Sequence, residues 1–393
     1  MSQLPRAKGE LFRYADPAAC VEFEYNLCPD ELEGRGDVND EKIAATTSEK
    51  IDVAPASTAA STPEKKTKLA VVAVGGLTDG FFALPYLPHL AELLRDHNEN
   101  DEGGGVEWSL ITPLLSSCHS GWGTSSLDRD AGELLELSVH LRAHRGVQGV
   151  ALLGHSTGCQ DAVRYAERAR ERKDPAAAGN DRAAAAAAPL LGVVLQAPVS
   201  DRECFFLDPE TAPLAQRRLD RCREAAREQG QKYLETTVID FMSEWDGAPL
   251  SAKRWLSLAE KGGDDDYFSS DFSDSELSER LRALGEGGVS GEDVGGGGGG
   301  TTAAIPTLIV SSLREEYLPK DYDTAAHGRR LAKAINRLRR SKGKEAEEGE
   351  EKPLPTAEAV ALDGDHALRG AESEAARVIF DFLSTNCRMR STI

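Results

Sequence analysis

An apolar run leads directly into a glycine-flanked serine and then into a helical pattern between residues 147 and 166. The run covers residues 147–153, and the sequence Gly-His-Ser-Thr-Gly follows at positions 154–158. Starting at Cys159, small apolar residues recur at i, i+3, i+4 and i+7, which is the spacing of a helix face packed on a sheet. A nearly continuous apolar strand is typical of a sheet covered on both faces. The pattern therefore favours an α/β fold.

The turn between this strand and helix has the residues of a nucleophile elbow. A serine at such a turn is held in strained backbone geometry, and glycines two positions before and after it remove side chains that would collide with neighbouring backbone. Gly154 and Gly158 occupy these positions around Ser156. The hydroxyl would lie at the carboxyl end of the sheet, close to helix N–H groups that can face a developing negative charge.

Further apolar runs repeat the order of strand, turn and helix along the chain. The sequence predicts strands at residues 69–74, 106–111, 190–197, 305–311 and 357–362, the second closed by Thr112-Pro113. It predicts helices at residues 86–95, 128–145, 324–339 and 370–383. This alternation predicts a doubly wound, mostly parallel sheet with right-handed crossovers. Ligands of such sheets bind beyond the carboxyl ends of the strands.

Low-complexity tracts and one change of pattern suggest how the chain is divided. Residues 202–284 are polar and helix-forming without a strong strand candidate, so we interpret them as a helical cap or lid inserted into the core. Tracts rich in alanine, glycine or Glu and Lys are typical of linkers and surface insertions. The expected order is an N-terminal segment packing on the core (1–36), a low-complexity linker (37–67), the first core part (68–201), the cap (202–284), a flexible glycine-rich insertion (285–304), the second core part (305–385) and a tail (386–393).

Composition argues against several classes of protein. The formal net charge of −20, with no basic stripe, argues against a nucleic-acid partner. No segment has the length and apolarity for stable membrane insertion, and the N-terminus lacks a hydrophobic signal core. Seven scattered cysteines without a Cys-x-x-Cys pair favour reduced thiols and a cytoplasmic location. The pair His140 and His144 lacks a third ligand, so we expect neither a metal nor another cofactor.

A serine nucleophile needs a base within hydrogen-bond reach, and in the elbow-containing triad the chain order is serine, acid, histidine. Six of the eight histidines precede Ser156, which leaves His327 and His366. His327 falls inside a predicted helix and is expected to be a solvated surface residue. His366 follows the last predicted strand, where the base should lie. We therefore predict His366 as the base.

The acid of the triad is less sharply defined by the sequence. Several carboxylates follow the predicted strand 305–311, and a carboxylate at the end of that strand could reach the imidazole. Glu315 is the preferred candidate. The alternatives are Glu316, Asp321 and Asp323.

The glycine turn after the first core strand could complete an oxyanion hole. Two backbone N–H groups are needed, one from the residue after the nucleophile and one from this turn. Thr157 follows the serine, and Leu77 follows Gly75 and Gly76, whose missing side chains allow close approach of the substrate. Trp122 lies in a glycine-rich loop after another core strand and is a candidate for the substrate rim, where it would stack on substrate or only pin the loop.

Several blocks in one order resemble a known group of proteins. They are VVAVGGLTDGFFALPYLPHLAELL, PLLSSCHSGWGTSSLDRD, LLGHSTGCQD, LQAPVSDRE, DDDYFSSDFSD, EEYLP and GDHAL. Together they resemble the α/β-hydrolases of fungi and plants that include the fungal siderophore esterases of the fusarinine type. The resemblance implies an α/β-hydrolase fold, Ser156 as nucleophile and His366 as base. That family usually has aspartate at the position of Glu315.

These features together predict a serine hydrolase that cleaves an ester-like bond of a small molecule through an acyl-enzyme. The same triad could instead serve an acyltransferase, which delivers the acyl group to an alcohol or amine. A catalytically silent binding protein of the same fold is a third interpretation, because of the glutamate at the acid position. The sequence leaves the substrate and the oligomeric state open.

Overall fold

The computed structural model describes residues 8–13, 19–24, 66–100, 105–171, 186–230, 234–242, 247–286, 304–340 and 356–387. The predicted linker (37–67), glycine-rich insertion (285–304) and tail (386–393) lie almost entirely outside these ranges. Within the described ranges, every helix is too short or too polar to cross a membrane.

The main sheet has eight strands in the order β1-β2-β4-β3-β5-β6-β9-β10. Its six strands from β4 to β10 pair in parallel, and β2 and β1 extend the β4 edge in antiparallel orientation. The predicted doubly wound, mostly parallel sheet is therefore confirmed. The strand bounds are β1 (Lys8–Arg13), β2 (Ala19–Glu24), β3 (Thr67–Val74), β4 (Val106–Leu114), β5 (Gly149–His155), β6 (Leu190–Gln196), β7 (Val238–Met242), β8 (Ala248–Ser251), β9 (Thr307–Ser312) and β10 (Ala357–Leu362).

Several predicted element ends are wrong, among them those of one strand and one long helix. Strand β4 does not close at Thr112-Pro113 but continues to Leu114, because β2 pairs with it through those residues. The helix predicted over 128–145 is α-helical only to His140 and continues as a π-helical turn. The helix bounds are α1 (Leu87–Asn100), α2 (Leu127–His140), α3 (Gly158–Glu171), α4 (Asp201–Phe206), α5 (Ala212–Gln229), α6 (Ala252–Ala259), α7 (Asp274–Arg280), α8 (Arg282–Gly285), α9 (Thr324–Arg340) and α10 (Glu372–Asn386).

Helices cover both faces of the sheet, and strand β3 shows how. Ala70, Val72 and Val74 point to the face that also buries apolar residues of α2, α3, α7 and α9. Leu69 and Val71 point to the opposite face, which is filled by α1 and α10. Alternate residues of a strand face opposite sides, so a strand covered on both sides must be apolar throughout. This explains the continuous apolar runs of the sequence.

Residues 201–286 contain a small sheet that the sequence did not predict. Strands β7 and β8 pair in antiparallel orientation, so the expectation of a segment without strands is wrong. Trp255 and Leu250 form a third apolar cluster with residues of α5 and with Trp122. Leu277 of α7 instead joins the cluster on the sheet. The exact bounds of a cap, 202–284, stay a prediction.

Candidate active site

The strand β5 ends at a turn that only glycines can flank. Ser156 has a φ of 53°, in the left-handed region that non-glycine residues rarely adopt. A Cβ atom on Gly154 would lie 2.2 Å from the carbonyl oxygen of Gly158, and one on Gly158 would lie 2.4 Å from that of Val74. Both distances are far inside van der Waals contact. The local geometry is therefore that of a nucleophile elbow.

Backbone strain collects at one edge of the sheet. Among the described residues, the non-glycine positions with positive φ all follow the carboxyl end of a parallel strand. They are Phe82, His119, Ser156, Ala197 and Leu368. Such strain persists only where the surrounding structure determines it, and it is common at functional sites. The carboxyl edge is also where a sheet of this kind binds ligands.

The predicted base and acid meet in the loops after β10 and β9. Glu315 Oε2 lies 2.7 Å from His366 Nδ1, and both side chains are less than a tenth exposed. Glu316 Oε2 accepts the backbone N–H of His366 at 2.8 Å. The ring of Tyr317 meets the imidazole edge-on, with centroids 4.8 Å apart. Three consecutive residues thus fix the position and the orientation of one imidazole.

The other candidates for base and acid lie elsewhere. Asp323 Oδ1 accepts the N–H of Ala326 at 2.7 Å at the start of α9, and Asp321 is exposed. His327 Nε2 lies 2.7 Å from the carbonyl oxygen of Phe268. Burial lowers the pKa of His327, so its neutral ring donates this bond. The expectation of a solvated surface histidine is wrong for His327, because the segment that precedes α7 packs over it.

A glutamine that the sequence analysis missed joins the elbow to His366, the predicted base. Gln196 Oε1 lies 2.6 Å from His155 Nδ1, and Gln196 Nε2 donates to the carbonyl oxygen of His366 at 2.8 Å. Burial, reinforced by the nearby His366, holds the pKa of His155 well below its usual value. The ring is therefore neutral and donates from Nδ1, so its 3.8 Å approach to Asp79 is not an ion pair. The signal available in the sequence is one polar residue at the end of an apolar run.

The glycine turn after β3 lies against Ser156, the predicted nucleophile. A Cβ atom on Gly76 would be 3.0 Å from that of Ser156, and one on Gly75 would be 2.6 Å from that of Asp79. Asp79 Oδ2 accepts the N–H of Gly76 at 2.7 Å and so fixes the turn. Within the described chain, the N–H of Leu77 makes no backbone hydrogen bond.

An opening of about 430 Å³, which includes space open to solvent, begins at this turn. Leu77 and Thr157 both line it, and their role as oxyanion donors stays a prediction. Like that of Leu77, the N–H of Thr157 makes no backbone hydrogen bond in the described ranges. Trp122 also borders the opening, but its side chain is buried in the third apolar cluster rather than on an open rim. Stacking of Trp122 on substrate stays a prediction.

The family is decided by a match over most of the chain. Residues 43–349 match the family described as "Protein of unknown function (DUF1749)". The chain belongs to the DUF1749 family. Its resemblance to the group that includes fungal siderophore esterases is confirmed as well.

Two relatives of this DUF1749 protein have descriptive names. A fusarinine C esterase of Aspergillus fumigatus is 31% identical over 241 residues, which is 55% of this chain and 66% of that protein. An esterase of Emericella nidulans is 27% identical over 253 residues, which is 56% of this chain and 65% of that protein. The chain thus spans just under two thirds of the length of each.

A solved structure confirms the fold of this DUF1749 protein. The siderophore hydrolase EstB from Aspergillus fumigatus superposes with a TM-score of 0.58 over 97% of both chains, at 22% sequence identity. The predicted α/β-hydrolase fold is confirmed.

Proposed function

We propose that this protein is a serine esterase that cleaves an ester-like bond of a small molecule through Ser156, His366 and Glu315. The observation that carries the proposal is the 2.7 Å contact between Glu315 Oε2 and His366 Nδ1, in a loop tied to the elbow through Gln196. The names of the two relatives support an ester as substrate. A siderophore ester is the first candidate, because one relative is named a fusarinine C esterase.

The proposed reaction proceeds by two acyl transfers. Ser156 Oγ attacks the ester carbonyl while His366 Nε2 takes its proton, and the N–H groups of Leu77 and Thr157 stabilise the oxyanion. Protonated His366 then gives the proton to the leaving alcohol. Water, activated by His366, hydrolyses the acyl-serine. Glu315 keeps the Nδ1–H form of the imidazole and stabilises its cation. The chain's own residues suffice for every step, so the proposal includes no cofactor.

Fluorophosphonate labelling tests the triad directly. Wild-type protein should label at Ser156, whereas Ser156→Ala and His366→Ala should not. His89→Ala is a matched control, because His89 lies on the exposed side of α1. Folded wild-type protein that resists the probe would favour the catalytically silent interpretation.

Product analysis separates a hydrolase from an acyltransferase. Both would label, but only an acyltransferase transfers its acyl group to an added alcohol or amine in preference to water. Turnover of a panel of acyl esters, including hydroxamate siderophore esters, by wild type and Ser156→Ala would identify the substrate class. If wild type turns over simple esters but no siderophore ester of the panel, the first candidate is excluded.

A cytoplasmic location is part of the same proposal. The five described cysteines have free thiols, which supports a reducing compartment. They are Cys118, Cys159, Cys204, Cys222 and Cys387. Microscopy of a fluorescently tagged chain tests this, and a secreted or vesicular signal would contradict it.

A further inference from the structure

The opening beside the glycine turn after β3 is lined in part by buried charged side chains. Asp130 of α2 is 2% exposed, Asp161 of α3 is 5% exposed and Arg254 of α6 is 3% exposed, and all three line the opening. Burying charged groups is costly unless each is paired. The contacts of these side chains therefore show which of them lacks a partner.

The guanidinium of Arg254 is already engaged. Its Nη1 lies 2.7 and 2.8 Å from the two carboxylate oxygens of Asp265, and its Nε donates to the carbonyl oxygen of Trp122 at 3.0 Å. Asp265 is thus the principal partner of Arg254. The carboxyls of Asp130 and Asp161 are left without a cation of their own.

One carboxyl oxygen in this group has no partner. Asp130 Oδ1 accepts from Ser125 Oγ at 3.2 Å. Asp161 Oδ1 makes no hydrogen bond within the described chain, although only 5% of the residue is exposed. Burial raises the pKa of Asp130 to about 7, since no adjacent cation offsets it fully. An unsatisfied buried acceptor on a side chain that lines an opening is suited to a donor from a ligand.

The position of the opening assigns it to one side of the substrate. The leaving alcohol must lie against His366, because that residue returns the proton to it. The lining contains no residue of the loops that carry Glu315 and His366, but it contains both oxyanion donors. The acyl part of an ester held by those donors therefore extends into the opening.

We propose that the opening is a subsite for a primary ammonium group on the acyl part of the substrate, held by Asp161 with Asp130. The assignment rests on the proposed esterase function. An ammonium group is a compact cation with three donors, which matches two carboxyls with an unused acceptor. A metal ion is a poorer fit, since no group of three or more ligating side chains in the described ranges is placed to hold one.

Matched methyl esters test the subsite. Methyl 3-aminopropanoate and methyl 6-aminohexanoate carry the ammonium, while methyl butanoate and methyl heptanoate replace it with a methyl group. In wild type, kcat/KM for at least one amino ester should exceed that of its isostere by tenfold or more, and monomethyl succinate should be a poor substrate. Asp161→Asn should reduce the preference to within about twofold, mainly through KM, with a partial loss in Asp130→Asn. Asp381→Asn, on the exposed side of α10, is the matched control and should keep the preference of wild type.

Two results would overturn the subsite. One is a wild type without preference for either amino ester, and the other is an Asp161→Asn variant that folds by circular dichroism and keeps the preference, which would make the carboxyls structural only. Failure of the esterase function looks different, because neither labelling at Ser156 nor turnover of any ester would be seen. Calorimetry then decides the subsite without catalysis: 3-aminopropanamide should bind wild type at least tenfold more tightly than butanamide, and equal binding would refute it.

Discussion

Shortening Glu315 by one methylene group is the most direct test of the triad acid. A C–C bond of about 1.5 Å is removed, so the 2.7 Å contact with His366 Nδ1 should open to about 4 Å in Glu315→Asp. That exceeds the roughly 3.2 Å reach of a hydrogen bond. With the imidazole no longer fixed in one tautomer, we expect kcat to fall by about 100-fold, or about 2.7 kcal/mol in the activation barrier.

Replacement of Glu315 by glutamine separates the effect of side-chain length from the effect of the negative charge. Glu315→Gln preserves the length of the side chain but can favour the wrong imidazole tautomer, so the loss should be larger, about 10⁴-fold by analogy with other triads. The assay is steady-state hydrolysis of 4-nitrophenyl acetate, with fluorophosphonate labelling as a second readout. Glu358→Asp, on the exposed side of β10, is the matched control and should stay within about twofold.

The refuting result is clear for this pair of variants. If Glu315→Gln keeps kcat within threefold of wild type, Glu315 is not the triad acid. Glu316 would then need the same two substitutions, since its carboxylate accepts the N–H of His366.

Three further predictions concern the stability of the residues that surround the candidate site. Gly158→Ala places a Cβ atom 2.4 Å from the carbonyl oxygen of Val74, so urea unfolding should show a loss of about 3 kcal/mol together with loss of labelling. Arg254→Met leaves Asp265 buried and unpaired and should cost about 3–5 kcal/mol in the same assay, whereas the double variant with Asp265→Leu should recover most of it; no recovery would contradict this. Burial, and then Asp265, raises the pKa of Asp201 to about 8, so folding takes up a proton and wild-type stability should fall as the pH rises from about 5 to about 8. Asp201→Asn should make this slope shallower, with Asp130 contributing part of what is left, and an unchanged slope would assign it to other groups.

The sheet could be predicted because its signal is local. The central parallel strands β3, β5, β6 and β9 contain nearly continuous apolar runs, and a helix pattern or a turn follows each of them. Strands β7 and β8 escaped prediction because both are short and β7 is only half-buried, with Val238 and Phe241 exposed. Their pairing depends on packing against Trp122 and Trp255, which the sequence around them does not reveal.

The candidate site also has a part that is visible in the sequence and a part that depends on tertiary contacts. The elbow around Ser156 is a short pattern whose glycines are required by contacts within a few residues and the adjoining strand. Glu315 and Glu316 are equivalent in the sequence, and only the turn after β9 directs one to the imidazole and the other to a backbone N–H. Gln196 acts through a tertiary contact, which residue spacing cannot show, whereas Asp79 fixes its own turn through a contact with Gly76.

The bridge made by Gln196 has a mechanical consequence. Its side-chain oxygen accepts a hydrogen bond from His155, the residue before Ser156, and its side-chain nitrogen donates one to the carbonyl oxygen of His366. A displacement of either loop therefore transmits to the other, so Ser156 and His366 should fluctuate together as one rigid unit. The charged walls of the opening beside the glycine turn, by contrast, are side chains of α2, α3 and α6 and are not among the residues that Gln196 joins. Substrate preference could then change during evolution through those walls while the spacing of the reacting atoms stays constant.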